Sequence, residues 1–471
     1  MPAWPFEEIK ALFKSEKVLG NQSRVFSSYS IDSRTLKPGD LFFALKGERF
    51  DGHNFIEEVL RRGAGGVVCS DSVSFSLSLD QAAFFVKDTC VAFQEFARYH
   101  RMKQPARVVA VTGSNGKTTT KEWIAQLCSL NGSVHKTEGN KNNHIGVPLT
   151  LLGLHANHRV AVIEMGMNAL GEIDRLAELA HPNIGVITSV GSTHLEKLHS
   201  IENVFKGKKE LVDRVSQWGG VLFLNGDDPR VLRMAAEANC PVFTYGTNEQ
   251  FDYVAKNIRP SSKKGTLFDL EVPLQPFRAT VRLPHLGHHN VLNCLAAIAV
   301  SHSLGGKLSQ LVAACENLTA PAMRLEWIEK EGIIFINDAY NANPTSMEVA
   351  LNVLDELETE GKKIFVCGDM LELGMVAELA HQQLGEKIYD SKIDVLITYG
   401  HLSQATAQRA IECGMDEKDV FVCYEKKAIP NIIKDVAAPG DVVLLKGSRR
   451  NQLEKVLEDW RTKSETEVVS G

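Results

Sequence analysis

The segment VVAVTGSNGKTTTKEWI, Val108 to Ile124, constrains the chain more than any other. A run of β-branched and small apolar residues stops at a Gly-rich turn, and helix formers follow at once. Such a strand–turn–helix unit aims backbone N–H groups and a helix N-terminus at one spot, which favours an anion. The common phosphate-loop pattern G-x-x-x-x-G-K-[ST] needs glycine at position 111, where this chain has Val111. The turn is therefore shorter: Gly113, Ser114, Asn115, Gly116, Lys117, Thr118. Lys117 can reach the outer phosphates of a nucleotide, and Thr118 or Thr119 can offer a hydroxyl to Mg²⁺ or phosphate. Hydrolysis, phosphoryl transfer and ATP-driven joining all use such a loop, so its neighbours must decide among them.

A chain of 471 residues exceeds what one hydrophobic core supports. Residues 1–104 alternate short apolar runs (LFFAL, GGVVC) with Gly/Pro/Asp turns, Phe55 to Arg62 reads as an amphipathic helix, and Pro105 marks a junction. From 105 to 318 the runs VVAVTG, RVAVIEMG, IGVITSVG, GVLFLNGDDP and PVFTYG suit a parallel sheet covered on both faces. GTLFDLEVP and FRATVRLP read as an antiparallel addition to it. In residues 319–471, GIIFINDAY, KKIFVCGDM, DVLITYG, DVFVCY and DVVLLKGS predict a second doubly wound sheet, with ligands expected at the carboxyl ends of its strands. The fold class is α/β in three domains: a small mixed α/β N-terminal domain, a central P-loop-type parallel-sheet ATPase domain and a C-terminal Rossmann-like domain. The tail TKSETEVVSG is expected to fray.

A formal charge of -6 argues against nucleic acid as partner. Nine scattered cysteines without a C-x-x-C pair favour a reducing compartment over disulfides or structural zinc. The start MPAWPFEEIK is neither a secretory signal nor a membrane span, so a cytoplasmic protein without membrane contact is expected.

Several further residues carry candidate chemistry. Glu164 ends a predicted strand, where a carboxylate beside a phosphate loop suits Mg²⁺ and is otherwise a solvated sheet-edge group. His194 follows another strand end in TSVGSTH. Asn140, Asn142 and Asn143, in EGNKNNHIGVPLT, build either an ordered turn or a substrate-facing loop. NDAYNANPTSM, CGDMLELG and LLKGSRR each follow a strand of the third block and so share one sheet edge. Their aspartate and lysine can contact ribose and phosphates, or simply cap loops. A cleft with ATP on one wall and an acceptor on the other is the natural picture.

Taken together and in order, GSNGKTT, NNxxGxPLT, the Glu164-Met-Gly segment, GSTHLE, NGDDPR, HHNVLNCLAA, RLE at Arg324 to Glu326, and DAYNANPTSM resemble the Mur ligases. These are ATP-dependent amide-forming enzymes of peptidoglycan precursor synthesis. DAYNANPTSM with CGDMLELG is most similar to the branch that joins D-alanyl-D-alanine to a UDP-N-acetylmuramoyl-tripeptide, which implies those two substrates. The folylpolyglutamate-type ligases share the central domain but lack a block such as IDSRTLKPGDLFFALKGERFDGH. A nucleotide-binding regulator that has lost ligation would not need Lys117, Glu164 and His194 together.

The resemblance implies roles position by position. Lys117 holds ATP phosphates within the Gly113–Thr119 stretch, Thr118 and Glu164 serve Mg²⁺, and His194 is a ligand of a second ion, so that two Mg²⁺ are expected. Asn290 approaches adenine, and Arg324 and Asp338 contact nucleotide. Ser33 and Arg34 lie near the uridine diphosphate, while Asn142, Asn143, Asn341, Asn343, Lys446 and Arg449 face the substrates. A lysine that becomes carbamoylated falls at Lys208 in SIENVFKGKKEL, with Lys206 as a rival because lysine replaces the expected glycine at 209. Two loops depart from the family pattern: Ser189 stands where asparagine is usual, and HLEKLHS replaces a glycine-rich HLEGFGS, which implies altered loop flexibility. A three-domain monomer completes such a site without a partner.

Overall fold

The computed structural model describes residues 3–15, 17–47, 50–70, 73–262 and 265–460. The tail 462–471 lies outside these residues, as do positions 48 and 49 of the N-terminal motif. Contacts divide the chain into two compact units. The first comprises Met1–Val108, Ser133–Met165 and Arg175–His181; the second comprises Val109–Gly132, Gly166–Asp174 and Pro182–Gly471.

In the first unit, a sheet runs in the order Val18–Gly20, Ala82–Phe85, Gly66–Cys69, Leu41–Phe43, Tyr29–Ser30. Its first pair is antiparallel and the rest are parallel. The inner strands Leu41–Phe43, Gly66–Cys69 and Ala82–Phe85 are short and apolar, because they are covered: Phe42, Val67 and Ala83 bury with Ile56, Val59 and Leu60 of the helix Ile56–Arg61. The amphipathic helix read in the sequence thus begins one residue after Phe55, which sits in the 3₁₀ turn Gly52–Phe55. The helix Thr89–Met102 is N-capped by Asp88 and ends before Pro105. This unit also holds the parallel pair Val134–Lys136 and Val160–Glu164.

In the second unit, Phe277–Leu283, Gly265–Val272, Tyr253–Ser262, Val242–Gly246, Val221–Asn225, Ile184–Ile187 and Arg107–Thr112 lie in sequence across one sheet. The strands from Tyr253 to Leu283 are antiparallel to one another and the others parallel, matching the division of apolar runs. A second sheet has the order Glu326–Lys330, Ile333–Asn337, Val442–Lys446, Lys363–Gly368, Val395–Tyr399, Val420–Cys423. It is parallel apart from its first pair. Neighbouring side chains alternate between its faces, so Ile336, Phe365 and Leu444 pack into one core and Phe335, Ile364, Val366 and Val443 into the other. Both faces are buried, and the loops at the carboxyl ends of its strands carry the polar motifs. No helix among the described residues is long and apolar enough to cross a membrane.

Candidate functional site

The glycine turn joins the buried strand Arg107–Thr112 to the helix Lys117–Cys128. Two of its positions require glycine. Gly113 has φ 153° and an added Cβ there would strike Thr188 Oγ1. Gly116 has φ 82° and its Cβ would stand 2.5 Å from Asn293 Oδ1. Between them the main chain is stitched to the loop after Ile184–Ile187. Ser114 N donates to Ser189 O (2.8 Å), Asn115 N donates to Ser189 Oγ (2.9 Å), and Gly191 N donates to Ser114 Oγ (2.8 Å). Ser189 therefore serves the turn directly, although the family pattern has asparagine there. Lys117 Nζ donates to Gly113 O (2.7 Å) and Ser114 O (3.2 Å), so its charge lies over the turn that it closes.

Beside this turn lies a cavity of about 170 Å³. It brings together Asn115, Gly116, Thr119, Asn290, Arg324, Asp338 and Lys446, all read from the sequence as nucleotide or substrate groups. Asn290 is fixed by Leu286 O (2.8 Å) and by Asn293 Nδ2 (3.2 Å), and Asn293 Oδ1 in turn accepts from Thr120 Oγ1 (3.1 Å). Asn293 escaped the sequence reading; its signal was the i, i+3 spacing from Asn290, which puts both amides on one helix face. Lys446 is buried and donates to Asp338 Oδ2 (2.6 Å) and Asn341 O (3.0 Å). Burial lowers its pKa while the Asp338 carboxylate opposes that shift. Arg324 stacks its guanidinium 4.0 Å from the Tyr340 ring centre, and its buried Nε has no hydrogen-bond partner among the described residues. His289 also lines the cavity, where burial holds its pKa down at about 4.

The third-block loops reach the same turn. Asn343 caps the helix Pro344–Glu356 in a reciprocal bond pair with Ser346, and its Nδ2 donates to Asn115 Oδ1 (2.9 Å). The Asp369–Gly374 loop meets the short helix Leu195–Leu198: Glu196 N donates to Glu372 O (3.1 Å), and His194 Nδ1 lies 2.7 Å from Glu372 Oε2. The hydrogen bond from His194 is the main cause holding Glu372 below the usual carboxylate range. Arg449 pairs with Glu454 and is exposed.

Lys206 and Lys208 share the helix Ile201–Gln217 but differ in environment. Lys206 is exposed, whereas Lys208 is 3% exposed and makes no described hydrogen bond or ion pair. Burial drives the Lys208 amine well below the ordinary lysine range, and the charge of Lys117 adds to the effect. Lys209, where glycine was expected, pairs outward with Asp213 (2.6 Å) and Glu237 (3.4 Å). Thr118 is half-buried and its hydroxyl makes no described hydrogen bond. The HLEKLHS segment keeps left-handed backbone at His199 (φ 62°), where the family pattern has glycine, so the residue there carries backbone strain that glycine would not.

The first unit holds the remaining candidates. Glu164 is buried, accepts from Asn142 Nδ2 (2.8 Å), and its own N–H donates to Thr137 Oγ1 (3.0 Å). Asn143 Oδ1 accepts from Ile145 N (3.1 Å) and Gly146 N (2.9 Å), which orders the turn into the helix Gly146–Leu152. Ser33 and Arg34 stand on an exposed loop where Arg34 pairs with Asp32 (2.6 Å) and Arg62 donates to Ser33 O (2.6 Å). The Arg34 hydrogen bonds pull the Asp32 pKa down to about 2.

Three family models match the chain: "Mur ligase family, catalytic domain" over residues 25–109, "Mur ligase middle domain" over 111–301, and "Mur ligase, glutamate ligase domain" over 323–449. The chain is 40% identical to the UDP-N-acetylmuramoyl-tripeptide--D-alanyl-D-alanine ligase of Bacillus subtilis, over 93% of this chain and 94% of that one. Its likeness to the Escherichia coli protein of the same name is 38%, over 90% and 92%. Among solved structures, MurF from Acinetobacter baumannii superposes with a TM-score of 0.89 at 30% identity, covering 98% of this chain and 99% of that one. The Thermotoga maritima MurF ligase, solved in complex with ADP, gives 0.83 at 29% identity, over 93% and 98%.

Proposed function

The chain belongs to the Mur ligase family, with its three-domain mixed α/β architecture, and from that premise we propose how its residues carry the family's joining reaction. The protein is an ATP-dependent ligase that adds D-alanyl-D-alanine to UDP-N-acetylmuramoyl-tripeptide in peptidoglycan synthesis. The observation that carries the assignment of residues is the cavity beside the glycine turn, where Asn290, Arg324, Asp338 and Lys446 gather.

A carboxylate and an amine do not condense unaided, because oxide is a poor leaving group. The terminal carboxylate of the tripeptide attacks the γ-phosphorus of ATP; the bond to the β–γ bridging oxygen breaks, and ADP leaves an acyl phosphate behind. The amine of D-alanyl-D-alanine then attacks the acyl carbon, the bond to phosphate oxygen breaks, and the new amide gives up a proton. No protein nucleophile takes part. The chain contributes positioning and charge neutralisation. Lys117 exchanges its carbonyl partners on the turn for γ-phosphate oxygens. Asn290 approaches the base, while Arg324 and the Asp338–Lys446 pair face ribose and phosphates. Ser33 and Arg34 take the uridine diphosphate end. Seating of the C-terminal block over the turn, through Asn343 and Asn115, keeps water from the acyl phosphate.

Magnesium, when bound, neutralises triphosphate charge. Thr118, Glu164 and His194 are oxygen and nitrogen donors suited to hold it. The described residues include no group of three or more His, Cys, Asp or Glu able to hold an ion by themselves. That fits an ion whose shell is completed by substrate phosphates, as is usual for Mg²⁺. Lys208 joins this donor set as a carbamate. Desolvation favours the neutral form of its buried amine, which adds to carbon dioxide and loses a proton, so that a lysine side chain ends in a carboxylate-like group. A reaction that uses ATP and a nucleotide-linked sugar suits the cytoplasm, where the nine cysteine thiols would stay reduced.

Incubation with ATP, UDP-N-acetylmuramoyl-tripeptide and D-alanyl-D-alanine tests the assignment. Inorganic phosphate should appear only when both acceptor and amine are present, and release that ignores D-alanyl-D-alanine overturns it.

A further inference from the structure

We propose that Glu372 is the positioning residue of His194: its carboxylate fixes the imidazole so that Nε2 faces the reaction, and it does so only when the C-terminal block is seated. The inference rests on the assignment of His194 to the reaction made above. Nothing in the family's phosphate chemistry required the CGDMLELG loop, yet its Glu372 carboxylate meets this histidine at the N-cap of the Leu195–Leu198 helix.

The contact decides which nitrogen carries hydrogen. An ionised carboxylate can only accept, so Glu372 Oε2 at 2.7 Å holds the proton of a neutral imidazole on Nδ1. The lone pair is then on Nε2, the arrangement in which a histidine accepts a proton or binds a cation. An imidazole without such a partner populates both tautomers and turns about its side-chain bonds.

The backbone on each side is bent to make this meeting. His194 has φ 55° and Glu372 has φ 63°, a region that L-residues with side chains enter only at an energetic cost. Such conformations persist where surrounding contacts over-determine them, and they cluster at functional positions. Docking of the loop does not itself need the Glu372 side chain. The main chain supplies the bond from Glu196 N to Glu372 O at 3.1 Å, and Gly374 packs so close that an added Cβ would lie 3.2 Å from Glu196 Cα. The main chain thus holds the loop beside the carboxylate, whose hydrogen-bond partner is the imidazole, with the charges of Arg450 and Lys197 nearby.

The test uses the full chain with Glu372→Ala, Glu372→Gln and Glu372→Asp, each alone and in a His194→Ala background. Nitrogen NMR of histidine-labelled protein should show His194 in the Nδ1–H form in the wild type and a tautomer mixture in Glu372→Ala. Turnover should fall about 10- to 100-fold in Glu372→Ala, with KM for the UDP-linked substrate unchanged and partial recovery in Glu372→Asp. In the His194→Ala background the same change should cost nothing further, since a residue acting through another has no effect once that other is gone. An unchanged His194 tautomer in Glu372→Ala, or an equal loss of turnover in both backgrounds, overturns the proposal. Glu372→Leu, similar in bulk and without a hydrogen-bonding atom, gives the readouts of the alanine variant if that one folds poorly, and Glu372→Gln, which can accept or donate, falls between. A wild type that releases no phosphate with both substrates refutes the ligase reading instead, and the NMR comparison still judges Glu372.

Discussion

The glycine turn at Gly113–Gly116 and the loop at Asp32–Arg34 are both short and polar, yet they are held in opposite ways. The turn is tied to distant chain: Ser114 and Asn115 bond to Ser189 and Gly191, and Asn115 bonds to Asn343 of the C-terminal block. The other loop is tied mainly to itself, with Arg34 on Asp32, and its one distant tether, from Arg62, reaches main-chain oxygen. A turn braced by long-range bonds has its geometry set before a ligand arrives, which is what alignment of a γ-phosphate demands. An exposed arginine on a neighbouring carboxylate is worth little to stability, so it can change partners at small cost. One region is built to hold still and the other to be recruited.

The severest test of that contrast is Lys117→Ala. It should lower turnover by roughly 100-fold or more, measured as phosphate release with both substrates, because a preorganised charge cannot be replaced by solvent. Near-normal turnover breaks the comparison at its rigid end. Lys208→Ala should also disable the enzyme, and formate should restore part of its turnover, while Lys206→Ala stays near wild type. Rescue confined to Lys206→Ala would mean that the exposed lysine is the modified one. Arg34→Ala should raise KM for the UDP-linked substrate about tenfold and leave KM for ATP and kcat nearly unchanged. A matching rise in KM for ATP would show that the exposed loop is not a separate wall.

The smallest effect concerns His289. Its folded pKa is depressed from 6.5 to about 4, chiefly by burial, so between those values the unfolded chain binds a proton that the folded chain refuses. Stability from this group is present above pH 6.5 and is lost as pH falls toward 4. Denaturant titrations across that window should show a pH slope smaller by up to one proton in His289→Gln. An unchanged slope would place His289 in water and make the cavity wall less rigid than the turn it adjoins.

Much of this was legible because apolar runs and turn residues are local signals. Val108–Thr112, Ile184–Ile187 and Val442–Lys446 read as buried strands from composition alone, and they are strands. Val134–Lys136, Tyr253–Ser262 and Glu326–Lys330 escaped: the first is three residues long, and the others carry charged or polar side chains. Asn290, Arg324, Asp338 and Lys446 were nameable through resemblance as candidate site residues, but their meeting in one cavity is tertiary information. Register against the family pattern pointed to Lys208, but its burial beside an exposed Lys206 is tertiary information that a run of four residues containing three lysines cannot express. Asn143 illustrates the converse, since its side-chain oxygen serves the turn in which it stands. Glu372 could not be paired with His194 from sequence, because 178 positions separate them and neither segment encodes the other.

The helix Leu195–Leu198 has a left-handed residue at each boundary, His194 at φ 55° and His199 at φ 62°, and Ser200 then caps Ile201–Gln217. An α-helix cannot propagate through such residues, so this one can neither gain nor shed a turn. It works as a spacer of fixed length between His194 and the helix that bears Lys208. Lys197 and His199 stand where the family pattern has glycine, and His199 keeps the left-handed backbone that glycine adopts without strain. A single residue inserted between Ile201 and Lys208 would carry Lys208 about 100° round its helix, one residue's share of a turn, away from its buried position.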